Sequence, residues 1–267
     1  MLARVPYINQ IYWQNAASYY RWKISRQINH GAPLDPLKIV WVDPDQISRF
    51  SGRDNVIYDR WQDIGTVQQG VWDQQVPSGS TDPKKEHMKG VMTAKTIEET
   101  DLYQSFQRHF EEGVEWTNTA LYDALLSTVN EGVTIWRGSQ SGEDILERCR
   151  EIDKLYTIIK HSGYKPQLKL LEEGRIDPNH VGLLDVLTDE ITLDIGRNGE
   201  LLFVDGRHRI CLAKILDLEA VPVVILVRHA KWLEQREKIY VNQLHPDLTE
   251  HPDLAEADGN TTSWMEL

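Results

Sequence analysis

Residues 190–228 constrain this chain more than any other stretch, because four structural signals follow one another there without a gap. Ile191-Thr192-Leu193-Asp194-Ile195 alternates apolar and polar side chains, the period of a strand. Asn198-Gly199 is the dipeptide that best suits a tight hairpin turn, and Leu201-Leu202-Phe203-Val204 returns as a second strand. Asp205-Gly206 breaks that strand. A helix is predicted over 207–217, with Ile210, Ala213 and Leu216 facing inward. The run 220–227 is wholly apolar, which predicts a strand covered on both faces and therefore central.

The junction Asp205-Gly206-Arg207-His208-Arg209 is the place where this architecture can do chemistry. The first amides of a helix have no intrahelical acceptor, and the helix dipole adds partial positive charge, so a helix start suits an anion. Gly206 has no Cβ and lets the backbone come close to a ligand. Arg207 and Arg209 bring planar donor sets that match phosphate oxygens. His208 can donate a hydrogen bond or move a proton near neutral pH. Asp205 can cap the helix, hold an arginine or help hold a metal ion. The plainer reading is a common Asp-Gly turn followed by solvated arginines. The hairpin, helix and apolar strand around it favour an anion cradle, with His208 and Asp205 as candidate catalytic groups.

The same stretch resembles the ParB/sulfiredoxin-like superfamily. The Asn-Gly hairpin, Val-Asp-Gly-Arg-His-Arg, Ala213-Lys214, Leu218 and Val221-Pro222-Val223 carry the likeness, and the whole chain resembles archaeal proteins that carry this domain. Ile39-Val40-Trp41-Val42-Asp43-Pro44-Asp45-Gln46-Ile47 looks like the family's first strand and turn. Gly163-Tyr164-Lys165-Pro166-Gln167 looks like its Gly-x-x-Gln element. The resemblance implies a nucleotide or phosphate at the helix start: ATP, ADP or CTP, with Mg2+ as a companion. Sulfiredoxin places a reactive cysteine immediately before its His-Arg pair. Arg207 stands there in this chain, which argues against sulfinic acid reduction. Free-serine kinases of this fold carry Asp-Gly-His-His-Arg and a glutamate base from the N-terminal region, and no glutamate here is matched to that base. Partition ParB proteins follow their CTP loop with a helix-turn-helix domain, and the polar residues after Val227 do not fit one.

Elsewhere the periodicity predicts helices over 15–29, 96–112, about 117–129 with Thr117 as cap, and from Gly142 to Gly163. The run 37–42 reads as a buried strand, and Val56-Ile57-Tyr58 and 67–72 as short strands. A surface loop is expected over 77–89 and a variable stretch over 172–188. The acidic residues from 243 onward contain His-Pro-Asp-Leu twice, at 245–248 and 251–254, and read as an acidic flexible tail over 243–267, disordered or loosely docked. The domain plan is therefore an N-terminal helical segment (1–36), a ParB/sulfiredoxin-like domain (37–47 and 143–230) and a mostly helical insertion (48–142). The fold class is α+β, a small mixed sheet with packed helices.

Three further residues are candidates to face the substrate or Mg2+: Asp43, after the first strand; Asp73, beside Trp72; and Gln167. Turn formation beside Pro44 and capping are the competing roles for the two aspartates. Cys149 and Cys211 are expected as buried free thiols, and His109, His161, His180 and His229 lack metal-ligand spacing. Arg228 and His229 end the last strand, where solvated side chains are expected. The net charge of −12 lowers the standing of DNA as partner, since duplex binding needs a positive face. The opening residues lack a secretory pattern, and no apolar run is long enough to span a bilayer, so a cytoplasmic location is expected. The function that follows is a nucleotide-binding protein, a phosphotransferase acting on a small molecule. The alternatives are a DNA-binding or nuclease protein and a non-catalytic nucleotide sensor.

Overall fold

The structure is a computed structural model and describes residues 15, 18–20, 22–23, 25–26, 34–53, 60–77, 91, 94–136, 138–176, 183–242 and 251–254. Its centre is strand β5 (Val221–His229), buried along its whole length. Strand β3 (Ile191–Ile195) runs parallel to β5 and pairs on its other side with β4 (Leu201–Asp205), so the Asn-Gly turn closes an antiparallel hairpin. The opposite edge of β5 is shared. Antiparallel β1 (Ile39–Val42) takes its first half and parallel β2 (Thr66–Gln68) its last three residues. The result is a mixed five-stranded sheet, and the chain is an α+β protein. The apolar run 221–227 of β5 follows from this position, since it has neighbours on both edges and helices on both faces.

Helices cover each face of the sheet. One face packs Ile191, Leu193, Phe203 and Ile225 against four helices: α2 (Asp101–Glu112), α3 (Ala120–Asn130), α4 (Gly142–Ser162) and α7 (Arg207–Ile215). The other face packs Leu202, Val204, Val224 and Leu226 against Tyr20, Ile64, Leu168 and Leu187. Those partners come from the N-terminal segment, the turn after α1 (Arg60–Asp63), α5 (Gln167–Glu172) and α6 (Leu183–Thr188). Thr100 caps α2 with its hydroxyl on the Tyr103 amide, and Gly113 ends it at φ 72°. Helix α3 starts later than its sequence suggests. Thr117 lies in a tight turn, and Thr119 accepts the Tyr122 amide in its place.

The stretch 48–142, mostly helical as expected, also reaches the central sheet. The backbone of Arg49 and Ser51 pairs with Phe203 along the outer edge of β4. Strand β2 belongs to the same sheet as β5. Both pieces complete sheet edges that would otherwise present unpaired amides. Of the helix expected over 15–29, the described residues are helical. The strand expected at 56–58 and most of the loop expected over 77–89 lie outside the described residues.

One expectation about the end of β5 is corrected. Helix α8 (Ala230–Asn242) follows it directly. Arg228 and His229 are buried at 2% exposure each, not solvated. The second His-Pro-Asp-Leu copy supplies the reason for the arginine. Asp253 accepts from Arg228 Nε and Nη2 (3.0 and 2.7 Å) and from the Trp232 indole (2.8 Å), while Arg236 donates to its carbonyl (3.2 Å). His251 contacts the Gly199 carbonyl at 2.7 Å and lies on Trp232 with ring centres 4.3 Å apart. Residues 251–254 are therefore docked against β5 and α8, the second of the two readings of the tail. Burial alone would raise the Asp253 carboxyl, and the Arg228 and Arg236 guanidiniums outweigh it, holding the group below the usual carboxylate range. Asp253→Ala strands Arg228 in the interior, so urea unfolding should show a loss of about 3–5 kcal/mol. A loss under about 1 kcal/mol would mean the segment is not docked in solution.

Candidate functional site

The residues 205–209 form the expected strand-to-helix junction. β4 ends at Asp205, Gly206 takes φ 100° and ψ 31°, and α7 begins at Arg207 with no side-chain cap on its first turn. A Cβ at Gly206 would sit 2.9 Å from the Ile191 Cα, a backbone atom of the neighbouring strand. Glycine is thus required twice, by the torsion and by the close approach. This contact seats the helix start against β3 and brings it level with Glu190.

The side chains of the junction engage different partners. Arg207 Nη1 donates to Asp205 Oδ1 at 3.0 Å, and both groups are partly exposed. His208 is held between rings: Phe106 of α2 stacks at 5.7 Å, and Trp136 meets it edge-on at 5.4 Å. The Trp136 indole donates to His208 Nε2 at 3.2 Å. Arg209 is buried, which disfavours its charge, but Tyr164 and Glu190 beside it outweigh this, and among the described residues its buried Nη1 has no hydrogen-bond partner. A buried guanidinium nitrogen left unsatisfied is costly and marks a place where an acceptor belongs.

Glu190 is the group that the sequence reading missed. It has no exposed surface and lies just ahead of β3. It accepts a short hydrogen bond from the Gln167 amide and one from the Tyr164 hydroxyl at 3.4 Å. Burial lifts its carboxyl to about 7, against the opposing pull of the Gln167 amide, the Arg209 charge and the Tyr164 hydroxyl. A carboxylic acid poised near neutrality can take up or release a proton at working pH. The signal for it was present in the alternation of 190–195. Glu190, Thr192 and Asp194 share one side of β3, and each has no exposure. Thr192 stands opposite Asp205 in the sheet, and its hydroxyl also lacks a partner. At the far end of this polar stripe, Asp194 accepts from Arg53 Nε and Ser51 Oγ, both at 2.6 Å, in a buried knot that ties residues 51–53 to the sheet.

Of the three outlying candidates, the structure brings one to the junction. Gln167 reaches it through its amide on Glu190. Asp43 caps its own turn by accepting the Asp45 amide at 2.8 Å. That turn meets α7 through Asp45 and Lys214, 3.6 Å apart, roughly 10 Å along the helix from its start. Asp73 is taken by Arg197 in a two-pronged pair of 2.7 and 2.6 Å at the hairpin end of β4, the end remote from Asp205. It steadies the hairpin turn. His229 approaches the Gly70 carbonyl at 3.1 Å beside this pair.

The remaining reactive groups are structural. Cys149 and Cys211 are buried free thiols, and burial pushes both upward, Cys149 to about 12. Among the described residues no group of three His, Cys, Asp or Glu side chains could hold a metal ion. No helix of the described residues is long and apolar enough to cross a membrane. Compared with protein-family models, curated proteins and solved structures, the chain finds no match in any of the three.

Two outcomes follow from this geometry. Gly206→Ala carries both the torsional and the steric penalty and should lower stability by about 1–3 kcal/mol, read by urea unfolding. An unchanged midpoint would show that the turn relaxes freely. Glu190 binds its proton more tightly in the folded chain than in the unfolded one, so stability falls as pH rises from about 4.5 to about 7. The loss amounts to roughly 3 kcal/mol at most. Glu190→Gln should remove that part of the pH dependence. Parallel stability curves for the two proteins between pH 5 and 8 would contradict the assignment.

Proposed function

We propose that this chain binds a nucleotide through its phosphates at the start of α7, in a ParB/sulfiredoxin-like domain, and passes a phosphoryl group to a small molecule. The observation that carries the reading is the uncapped helix start at Gly206 flanked by a buried Arg209 nitrogen without an acceptor. A phosphate there would receive the amides of 207–209 and the free Arg209 nitrogen together. Arg207 would add a second guanidinium on the exposed side, with Asp205 setting its position. His208 would hydrogen-bond the transferred group. In such transfers the protein chiefly positions and neutralises phosphates.

The acceptor side needs a proton acceptor for a substrate hydroxyl. Glu190 suits this role by its intermediate proton affinity and its place beside Arg209. Asp205 offers a single carboxylate, so Mg2+ would arrive on the nucleotide and be held mainly by its phosphates. When bound, the ion would supply charge neutralisation. The DNA-binding alternative draws less support. Lys23 is spent on backbone carbonyls and Thr66, Lys165 on Glu173, and Lys160 leans over the Tyr156 ring.

Millimolar ATP, ADP or CTP, with and without Mg2+, should raise the melting temperature for at least one nucleotide. Arg209→Lys, which keeps the charge and loses the planar fork, should weaken that binding by at least about tenfold. If no nucleotide stabilises the chain and duplex DNA binds with steep salt dependence, the alternative replaces this reading.

A further inference from the structure

The chain carries one tetrapeptide twice, His-Pro-Asp-Leu at 245–248 and again at 251–254. The second copy is a folded unit in its own right. The Leu254 amide donates to the His251 carbonyl at 2.8 Å and closes a four-residue turn. Pro252 holds the second position of that turn, where its fixed φ is favourable. The Asp253 amide donates to His251 Nδ1 at 3.1 Å. Both bonds join residues of the tetrapeptide to one another. An identical tetrapeptide can therefore close the same turn wherever it stands in a chain.

The groups that receive the turn all lie outside it. His251 Nδ1 accepts the Asp253 amide, so Nε2 carries the ring proton and donates it to the Gly199 carbonyl at 2.7 Å. The ring rests on Trp232, with centres 4.3 Å apart. The Asp253 carboxylate accepts from the Arg228 guanidinium and the Trp232 indole, and Arg236 donates to the Asp253 carbonyl. Leu254, half-buried, packs on the core. The contacts thus divide into a four-residue ligand and a socket made by the hairpin turn, the end of β5 and the first half of α8.

The upstream copy is badly placed for the socket of its own chain. Trp232 lies ten residues before the end of α8 at Asn242, about 15 Å back along the helix. His245 follows Asn242 by three residues, a contour of about 10 Å. The chain must also reverse, which takes a four-residue turn, and two residues precede His245. A second copy of the chain is under no such limit.

We propose that Gly199, Arg228, Trp232 and Arg236 form a recognition socket for the His-Pro-Asp-Leu turn, filled within one chain by 251–254 and between two chains by the 245–248 copy of the other. The two ligands compete for one socket. The tethered copy has an effective concentration in the millimolar range, roughly, so the single chain prevails in dilute solution. When two chains exchange 245–248 reciprocally, each docked turn tethers the other, and pairing grows with concentration. The socket lies at the hairpin end of the sheet, away from Gly206, and stands independently of the phosphate reading.

The test weakens the tethered ligand in the full chain and leaves the other copy intact. Asp253→Ala does this. In sedimentation velocity at rising concentration the variant should pair at least about tenfold more readily than the wild type, and adding Asp247→Ala should return it to a single chain. A labelled synthetic peptide of residues 244–249, Leu-His-Pro-Asp-Leu-Thr, should bind the variant at least about tenfold more tightly than the wild type in fluorescence anisotropy. The same peptide with Asp247→Asn should not bind. His251→Ala, which removes the ring from Trp232 and Gly199 and keeps Asp253 on Arg228, gives the same comparison if Asp253→Ala does not fold. The proposal is overturned if the folded variant stays single at every concentration, if pairing survives Asp247→Ala, or if the peptide binds the variant no better than the wild type.

Discussion

The constraint on which the candidate site depends is the approach of Gly206 to the Ile191 backbone. It leaves no room for a Cβ, and it joins the end of β4 to the start of α7 without a spacer. Because β3 is clamped between β4 and β5, the helix start cannot drift away from the sheet. Arg209, on the first turn of α7, is thereby carried to the level of Glu190, the residue before Ile191. The proximity of the buried Arg209 guanidinium to the buried Glu190 carboxyl is thus tied to one glycine contact.

The unit from β3 to β5 was legible because each of its signals is local. The Asn198-Gly199 turn, the period-two alternation of 191–195 and the apolar 221–227 run each demand one conformation, and the structure has all three. Gly206 and Gly113 also adopt the positive φ that their places imply. What the sequence did not disclose depends on distant partners. Arg228 looked like a solvated strand end because its counter-ion, Asp253, lies beyond a whole helix. Arg53 and Asp194 are separated in the chain and meet only when 49–51 lines the edge of β4. The tie of 48–142 to the sheet was hidden because the pairing of its short strand is nonlocal.

The candidate site was legible in the same uneven way. Asp205 to Arg209 stood out as a motif, and the structure makes it the junction of β4 and α7. Asp43 and Asp73 were carboxylates in plausible places, yet local hydrogen bonds claim both. Glu190 and Trp136 carried no motif. The first is visible only as part of a polar stripe on β3. The second is visible only through its torsion and its contact with His208.

The most direct trial of this account is a crystal structure of the chain grown with a nucleotide and Mg2+. The account predicts a phosphorus atom in line with the first turn of α7, within hydrogen-bond reach of the 207–209 amides and of Arg209 Nη1. A nucleotide seated elsewhere, or a helix start still closed over by protein side chains when the nucleotide is bound, would contradict it.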